Sequence, residues 1–313
     1  MRRFFIRLGA FMVVAWFTLT AVDYGYSRKL ATSNNYRYET WYDVLRPHPA
    51  SDVVCIGSSR AFNFFVPSVI DSLLRCYSWN LGISGSHAQD FLYRYAMFRR
   101  FNPPPRLVVQ VLDYFMFSEK TGDLFEKWQL YPFFWDASFR REVFRYRHFS
   151  FAERFLPLYR YCGNGIWPRK GRPDRYRTTS RGFHVINLEW DRTRWEKQDW
   201  YKKIYDDVWP SPERVAEYED FLAYLQEEGC QVVFVCPPAF AEADRSFLYI
   251  DSIRACFRKL SEKHDIPLLD YTRGTMSLDS TLFFDGLHMN YRGAVQFSDS
   301  LAADLNKLYH FVQ

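Results

Sequence analysis

The feature that most constrains the fold is a regular alternation of short apolar runs with helical segments, which begins at residue 52. Five runs have the length and composition of buried strands: 52–56, 76–81, 107–112, 231–236 and 267–270. Helical patterns follow or separate them at 67–74, 88–101, 212–228, 247–263 and 291–309. This order predicts an α/β protein, a three-layer α/β/α sandwich whose parallel five-stranded sheet is flavodoxin-like. In such sheets the functional residues gather beyond the carboxyl ends of the strands.

One long segment, from about 115 to 207, interrupts this alternation. It is crowded with Trp, Tyr, Phe and Arg and has weak periodicity. We predict a large aromatic-rich insertion after the third strand, inside a single α/β domain that covers 27–313. The insertion either shapes access to a site at the sheet edge or adds ordinary packing. Disorder is excluded, since 20% of the residues are aromatic.

The N-terminus carries a targeting signal. Arg2, Arg3 and Arg7 precede an apolar run from Leu8 to Val22. The basic flank predicts a cytoplasmic N-terminus, a single-pass anchor over residues 1–26 and a body outside the cell inner membrane, in the periplasm. The alternative is a cleaved signal and a secreted protein, although 19–21 is a poor substitute for an Ala-x-Ala cleavage site.

Several functions are disfavoured by composition and spacing. The chain has 41 basic and 36 acidic residues, a formal net charge of +5, and its arginines are scattered, so no nucleic-acid partner is expected. Asp and His do not cluster at metal-ligand spacing, which leaves no metal site and gives little support to a metal-dependent phosphatase. A glycine-rich phosphate loop is also missing from the sequence, and no cofactor is expected.

Three polar blocks at strand ends carry the chemistry. Gly57-Ser58-Ser59-Arg60 follows the first strand, where a small residue allows a sharp turn and a serine projects over the sheet edge. Asp285-Gly-Leu-His288 precedes the last helix, and a carboxylate at this spacing can orient the imidazole as a base for serine. Asn80-Leu-Gly-Ile-Ser-Gly85 follows the second strand, where a glycine lets a backbone N–H approach an oxyanion.

The order of these blocks resembles the SGNH/GDSL hydrolase superfamily. The Gly-Ser-Ser form of the first block is similar to the membrane-anchored subset that includes alginate O-acetylation proteins and the D-alanyl transfer protein of teichoic acid synthesis. The resemblance covers about 52–112 and 231–308. It implies that Ser59 is the nucleophile, with Asp285 and His288 completing the triad. It also implies that the backbone N–H groups of Ser59 and Gly85 are oxyanion donors.

The third block departs from the family pattern, Gly-x-Asn-Asp, whose asparagine is an oxyanion donor. Here the third strand ends in Leu112-Asp113-Tyr114. A carboxylate donates no hydrogen bond unless it is protonated, so Arg60, His87 or Tyr114 would have to substitute for the missing asparagine. We also expect these three residues and Asp113 to be candidates for binding substrate.

Two functions are predicted. The first is a serine esterase or O-acyltransferase that acts on acyl esters, acetyl above all, of a cell-envelope polysaccharide, so that an acylated glycan or a small ester is the substrate. The second is an inactive relative that binds glycan or scaffolds an acylation complex with a multispanning membrane acyltransferase. The missing asparagine favours the second, and the Ser, Asp and His favour the first.

Overall fold

A computed structural model describes residues 1–33, 35–118, 127–162, 181–193, 209–245 and 247–312. The chain divides into two compact units. The anchor unit consists of Met1–Tyr42 with Glu126–Arg177, and the sheet unit consists of Asp43–Phe125 with Thr178–Gln313. The predicted domain boundary at residue 26 stays a prediction.

The sheet unit contains a five-stranded sheet in the order β2-β1-β3-β4-β5, in which every pairing is parallel. The strands are β1 (Val53–Ile56), β2 (Ser78–Asn80), β3 (Leu107–Val111), β4 (Gln231–Cys236) and β5 (Leu268–Asp270). The predicted fold class is thereby confirmed: the five apolar runs form the five strands, and all of β1, β2 and β3 is buried.

Helices of the sheet unit cover both faces of this sheet. The described helices are α1 (Arg2–Ala31), α2 (Tyr36–Val44), α3 (Ser59–Phe64), α4 (Pro67–Leu74), α5 (Ala88–Arg99), α6 (Ala137–Tyr146), α7 (Phe151–Phe155), α8 (Tyr159–Cys162), α9 (Pro212–Glu227), α10 (Ala241–Asp244), α11 (Ile250–His264) and α12 (Tyr291–Tyr309). Short 3₁₀ helices lie at Lys127–Phe133, Thr275–Leu278 and Ser280–Leu282. The sequence missed α2 and α3 and placed the start of α11 three residues too early, at 247.

Alternate strand residues supply the core, as the two-residue period of a strand requires. Leu107, Val109 and Val111 share one cluster with Phe64 of α3 and Leu301 of α12. On the other face α5 packs against α9, where the rings of Tyr95 and Phe221 lie 5.7 Å apart. The result is the three-layer sandwich that the sequence predicts.

The N-terminal helix is long and apolar enough to cross a membrane. It continues without a break to Ala31, nine residues beyond the apolar run that ends at Val22. Of the predicted insertion, the structure describes 115–118, 127–162 and 181–193. Within it, 127–162 folds into a 3₁₀ helix and α6 to α8, which belong to the anchor unit.

Candidate active site

The turn after β1 presents Ser59 at the carboxyl edge of the sheet. The strand ends at Ile56 and α3 begins at Ser59, so the chain reverses within two residues. Gly57 permits this because a Cβ there would meet the side chains of Ala61 and Val111 at 2.8 and 2.9 Å. No real side chain tolerates such contacts, and the glycine is therefore required by packing.

A tight loop before α12 presents Asp285 and His288. The backbone N–H groups of Leu287 and His288 both donate to Asp285 Oδ1, at 2.9 and 2.8 Å. The imidazole Nδ1 of His288 lies 3.0 and 3.1 Å from the two carboxylate oxygens of the same aspartate. The carboxylate thus holds the loop and the imidazole in one arrangement, with Nδ1–H as the donor and Nε2 turned away from it.

The structure brings Ser59, His288 and Asp285 together in the order that the sequence predicts. Ser59 Oγ lies 2.7 Å from His288 Nε2, and Asp285 lies on the far side of the ring. Ser59 is 8% exposed and Asp285 is 4% exposed. This is the geometry in which an imidazole can take a proton from a serine hydroxyl.

The charges around this group shift two pKa values in opposite directions. Burial lowers the pKa of the His288 imidazole, but the charge and hydrogen bond of Asp285, together with the charge of Asp113, outweigh it and raise the pKa above its usual 6.5. Burial raises the pKa of the Asp285 carboxyl, but His288 and the backbone N–H donors outweigh it and lower that pKa. Asp285 is therefore ionised wherever His288 can act as a base.

Asn80 ties the second block to the helix of Ser59. Its side-chain amide donates to the carbonyl oxygens of Ala61 and Phe65 at 2.8 and 2.9 Å, and its Oδ1 accepts from Gly82 N–H at 2.8 Å. Gly82 is itself required, because a Cβ there would lie 2.4 Å from the backbone nitrogen of Phe62. The sequence placed Asn80 in this block but missed its structural role.

Gly85, the predicted second oxyanion donor, is half-buried and adopts a φ of 72°, a conformation that favours glycine. Its backbone N–H as a donor to an oxyanion stays a prediction.

Asp113 lies in a buried ion pair where the family pattern has asparagine. It accepts a hydrogen bond from Ser58 Oγ and lies 3.4 Å from Arg60 Nη1. Arg60 also donates to the carbonyl oxygens of Pro237 and Pro238 at 2.5 and 3.0 Å. Ser58, which stands where the family has aspartate, therefore contacts the residue that stands where the family has asparagine. The sequence missed this pairing because it joins positions 55 residues apart.

Tyr114 and His87 occupy different surroundings. Tyr114 is buried, its ring lies 4.9 Å from the Arg60 guanidinium carbon, and its hydroxyl donates to Asp244 at 2.5 Å. His87 precedes α5 and is half-buried, with Nδ1 3.3 Å from the carbonyl oxygen of Phe115. In the structure Arg60 contacts both Asp113 and Tyr114. A role of these three residues or of His87 in binding substrate stays a prediction.

A cavity of about 570 Å³ is lined by residues on either side of the loop that carries Asp285 and His288, and Ser59, Asp285 and His288 themselves are not part of its lining. Both flanks of that loop line it, Ser280 and Thr281 on one side and Asn290 on the other. The remaining lining residues are Asn187, Leu188, Glu189, Trp190, Tyr291 and Arg292. Its walls thus combine aromatic rings with amide, carboxylate and guanidinium groups.

Within the described residues, no group of three or more His, Cys, Asp or Glu is arranged to hold a metal ion. No family model matches the sequence. No curated protein matches it either.

Solved structures to which the chain is similar include esterases. A member of the lipolytic protein G-D-S-L family from Veillonella parvula matches with a TM-score of 0.40 and 10% identity, over 82% of this chain and 97% of that one. An acetyl-xylooligosaccharide esterase variant from Geobacillus stearmophilus matches with a TM-score of 0.43 and 11% identity, over 84% and 96%. A family two carbohydrate esterase from Clostridium thermocellum matches with a TM-score of 0.44 and 8% identity, over 85% and 67%. The likeness is distant in each case, so a function has to follow from the geometry of the site.

Proposed function

We propose that this chain is a membrane-anchored serine esterase or O-acyltransferase that acts on acyl esters of a cell-envelope glycan. The observation that carries the proposal is the 2.7 Å contact between Ser59 Oγ and His288 Nε2, with the Asp285 carboxylate bonded to Nδ1 of the same ring. A free serine hydroxyl is a poor nucleophile, and a neighbouring base held in the right tautomer is what activates it.

The reaction then follows from this geometry. Ser59 Oγ attacks the ester carbonyl as its proton passes to His288 Nε2, and the Asp285 carboxylate stabilises the imidazolium. The tetrahedral intermediate collapses, the imidazolium protonates the departing alcohol oxygen, and an acyl ester remains on Ser59. Water or a sugar hydroxyl then gives its proton to His288 and attacks the acyl carbonyl; the bond from the acyl carbon to Ser59 Oγ breaks, and Ser59 Oγ takes the proton back from His288. Hydrolysis results in the first case and acyl transfer in the second.

A glycan substrate is supported by the cavity beside the catalytic loop. Trp190 and Tyr291 offer ring faces or edges against which a sugar can pack, and Asn187, Glu189 and Arg292 offer hydrogen-bond partners for its hydroxyls. Sites of this kind are largely apolar with a few fixed polar groups. Trp190 packs against Phe240, and the two ring centroids lie 4.6 Å apart.

The membrane anchor is proposed from α1 and its charges. Arg2, Arg3 and Arg7 at its start favour a cytoplasmic N-terminus, which would leave the sheet unit outside the inner membrane. An envelope polysaccharide would be within reach there, and so would a multispanning acyltransferase partner, which stays a prediction. Protease digestion of spheroplasts tests the topology: the body should be degraded with the membrane intact, and a protected body would place it in the cytoplasm.

The triad is tested by incubating the full chain, solubilised in detergent, with a fluorophosphonate probe and with p-nitrophenyl acetate. Ser59→Ala should abolish labelling and lower kcat by about 10⁴–10⁶. The matched control is Ser72→Ala, which alters an exposed serine of α4 whose hydroxyl donates to the carbonyl oxygen of Val69. Equal labelling of wild type and Ser59→Ala would refute Ser59 as the nucleophile.

The second candidate function is a non-catalytic glycan-binding or scaffolding protein, and the observation that favours it is the carboxylate of Asp113 at the family's asparagine position. Removing one oxyanion donor typically costs about 10²–10³ in rate. Absence of labelling and of turnover in both the wild type and Ser59→Ala would favour this second function.

A further inference from the structure

The two halves of α1 have different surroundings. Its first half buries none of its residues and is apolar apart from Arg2, Arg3 and Arg7. Its last nine residues bury Asp23, Ser27 and Ala31, which are spaced four apart and therefore share one face of the helix. A helix that only anchored the chain through a flexible tether would have no reason to bury a carboxylate on one face beyond the apolar run.

Asp23 is bonded to the 127–162 segment of the anchor unit by several donors. Trp135 Nε1 donates to its Oδ1 at 2.9 Å, the backbone N–H of Leu158 donates to its Oδ2 at 2.6 Å, and the guanidinium of Arg160 pairs with it. One turn further on, Ser27 Oγ lies 2.7 Å from the hydroxyl of Tyr161. The end of α1 is thus fixed to the 127–162 segment at a buried ion pair.

Beside these bonds lies a set of exposed apolar side chains, here called the aromatic patch. Phe151 and Phe155 of α7 are 73% and 58% exposed, and their rings contact each other at 4.9 Å. Leu156 and Tyr159 continue the exposed apolar surface on both sides of Leu158, which bonds Asp23. Helix α7 buries none of its residues, so the patch has no partner within the described part of the chain.

The length of α1 sets the level at which this patch lies. The 19 residues from Phe4 to Val22 rise by about 1.5 Å each, or roughly 28 Å, which matches the hydrocarbon core of a bilayer at about 30 Å. If this stretch spans the membrane, Asp23 lies at the outer boundary of the hydrocarbon. The backbone N–H of Leu158 donates to Asp23, so Leu158 and the aromatic patch beside it must then lie at the same level. This level is the membrane–water interface, where aromatic side chains are enriched.

We propose that the aromatic patch inserts into the lipid interface, so that the anchor unit is seated on the bilayer surface around the end of α1. The ligand is the membrane itself, at the boundary between headgroups and acyl chains. The proposal rests on the proposed membrane span of α1 and is independent of the serine chemistry. A protein partner covering the patch is the competing occupant.

The test uses the full chain reconstituted in vesicles of phosphatidylethanolamine and phosphatidylglycerol that contain a lipid with a photoactivatable diazirine near the glycerol end of one acyl chain. After illumination, adducts are mapped by mass spectrometry. We expect adducts in 4–22 and also in 151–159. The control is the same chain illuminated in vesicles without the diazirine lipid, which should carry no adducts in either segment.

The result that overturns the proposal is labelling of 4–22 with none in 151–159, because the span is then present while the patch is away from lipid. Absence of labelling in both segments overturns the span and the proposal together. A second variant, Phe151→Ser with Phe155→Ser, removes two exposed rings that support no core. It should lower the adduct yield of 151–159 several-fold and leave that of 4–22 unchanged. An unchanged yield in 151–159 would also contradict insertion of these rings.

Discussion

Arg60 and Asp113 form a buried ion pair directly after the two strands whose ends frame the candidate nucleophile. The charged atoms lie 3.4 Å apart and both side chains are 1% exposed. Burial raises the pKa of the Asp113 carboxyl above its usual value, and the nearby charges of Arg60 and His288 offset only part of this rise. The charge of Asp113 raises the pKa of His288 and the charge of Arg60 lowers it, so the two members of this pair act on the proposed base in opposite directions.

Asp113→Asn should destabilise the fold and lower the pKa of His288. The substitution leaves the buried Arg60 without its counter-charge, which costs about 3–5 kcal/mol. It also removes one of the charges that raise the pKa of His288. We therefore expect a lower Tm and a pH–rate profile whose acid limb moves to lower pH.

The control for this change is the double variant Arg60→Met with Asp113→Asn, which removes both charges at similar volume. In a double-mutant cycle, the double variant should recover most of the stability that Asp113→Asn loses, because no charge is then buried alone. A double variant no more stable than Asp113→Asn would show that the cost has another source.

The activity of the wild type should rise with pH through the pKa of His288. The imidazole must be neutral to accept the serine proton, and its raised pKa places half-maximal kcat/KM above pH 6.5. Asp285→Asn removes the carboxylate that raises this pKa. The acid limb should therefore shift to lower pH, and kcat should fall by about 10⁴ because the tautomer is no longer fixed. A limb that stays in place in Asp285→Asn would mean that another group controls it.

Gly82→Ala should lower both stability and activity. The added Cβ would lie 2.4 Å from the backbone nitrogen of Phe62, and Phe62 belongs to the short helix that begins at Ser59. Backbone cannot yield as a flexible side chain can, so we expect a loss of about 1–3 kcal/mol and a displaced serine. Thermal unfolding and the rate on p-nitrophenyl acetate measure the two effects.

Gly274→Ala is the matched control for this prediction. Gly274 has an ordinary φ of −78°, and its added Cβ would meet nothing nearer than 3.5 Å. It should be close to wild type in both measurements. If Gly82→Ala also behaves like the wild type, the close approach of Gly82 to α3 does not affect stability or activity.

The strands were predictable from local pattern, whereas the three proposed catalytic residues were assigned from local pattern together with a block order that resembles the SGNH/GDSL superfamily. A buried strand is a short apolar run, and Ser59, Asp285 and His288 each follow a strand or precede a helix within a few residues. Long-range pairings were not predictable in this way. Nothing near Asp113 in sequence indicates Arg60, and nothing near Asp23 indicates Arg160. The sequence therefore suggested Arg60 as a substrate ligand, whereas the structure engages it with Asp113 and two backbone carbonyls.

The proposed role of the cavity in binding glycan can be tested by measuring binding and chemistry separately. Trp190→Ala should raise KM for an acetylated oligosaccharide several-fold and leave the rate on p-nitrophenyl acetate nearly unchanged, because the small ester does not need the aromatic wall. Trp190→Phe keeps a ring against Phe240 and should recover most of the affinity. Trp209→Ala is the control, since Trp209 is exposed, contacts Tyr249 and does not line the cavity.

The buried contact of Asp23 also predicts how α1 responds to mutation. Asp23→Asn leaves the Arg160 guanidinium, which is 6% exposed, facing a neutral amide, and such a loss costs about 3–5 kcal/mol. Hydrogen exchange should therefore become faster in α8 and in the 3₁₀ helix at Lys127–Phe133, which α1 contacts. Arg160→Met combined with Asp23→Asn should restore part of the protection, since both charges are gone. Unchanged exchange in Asp23→Asn would contradict a fixed attachment of α1 and would leave the helix as a simple tether.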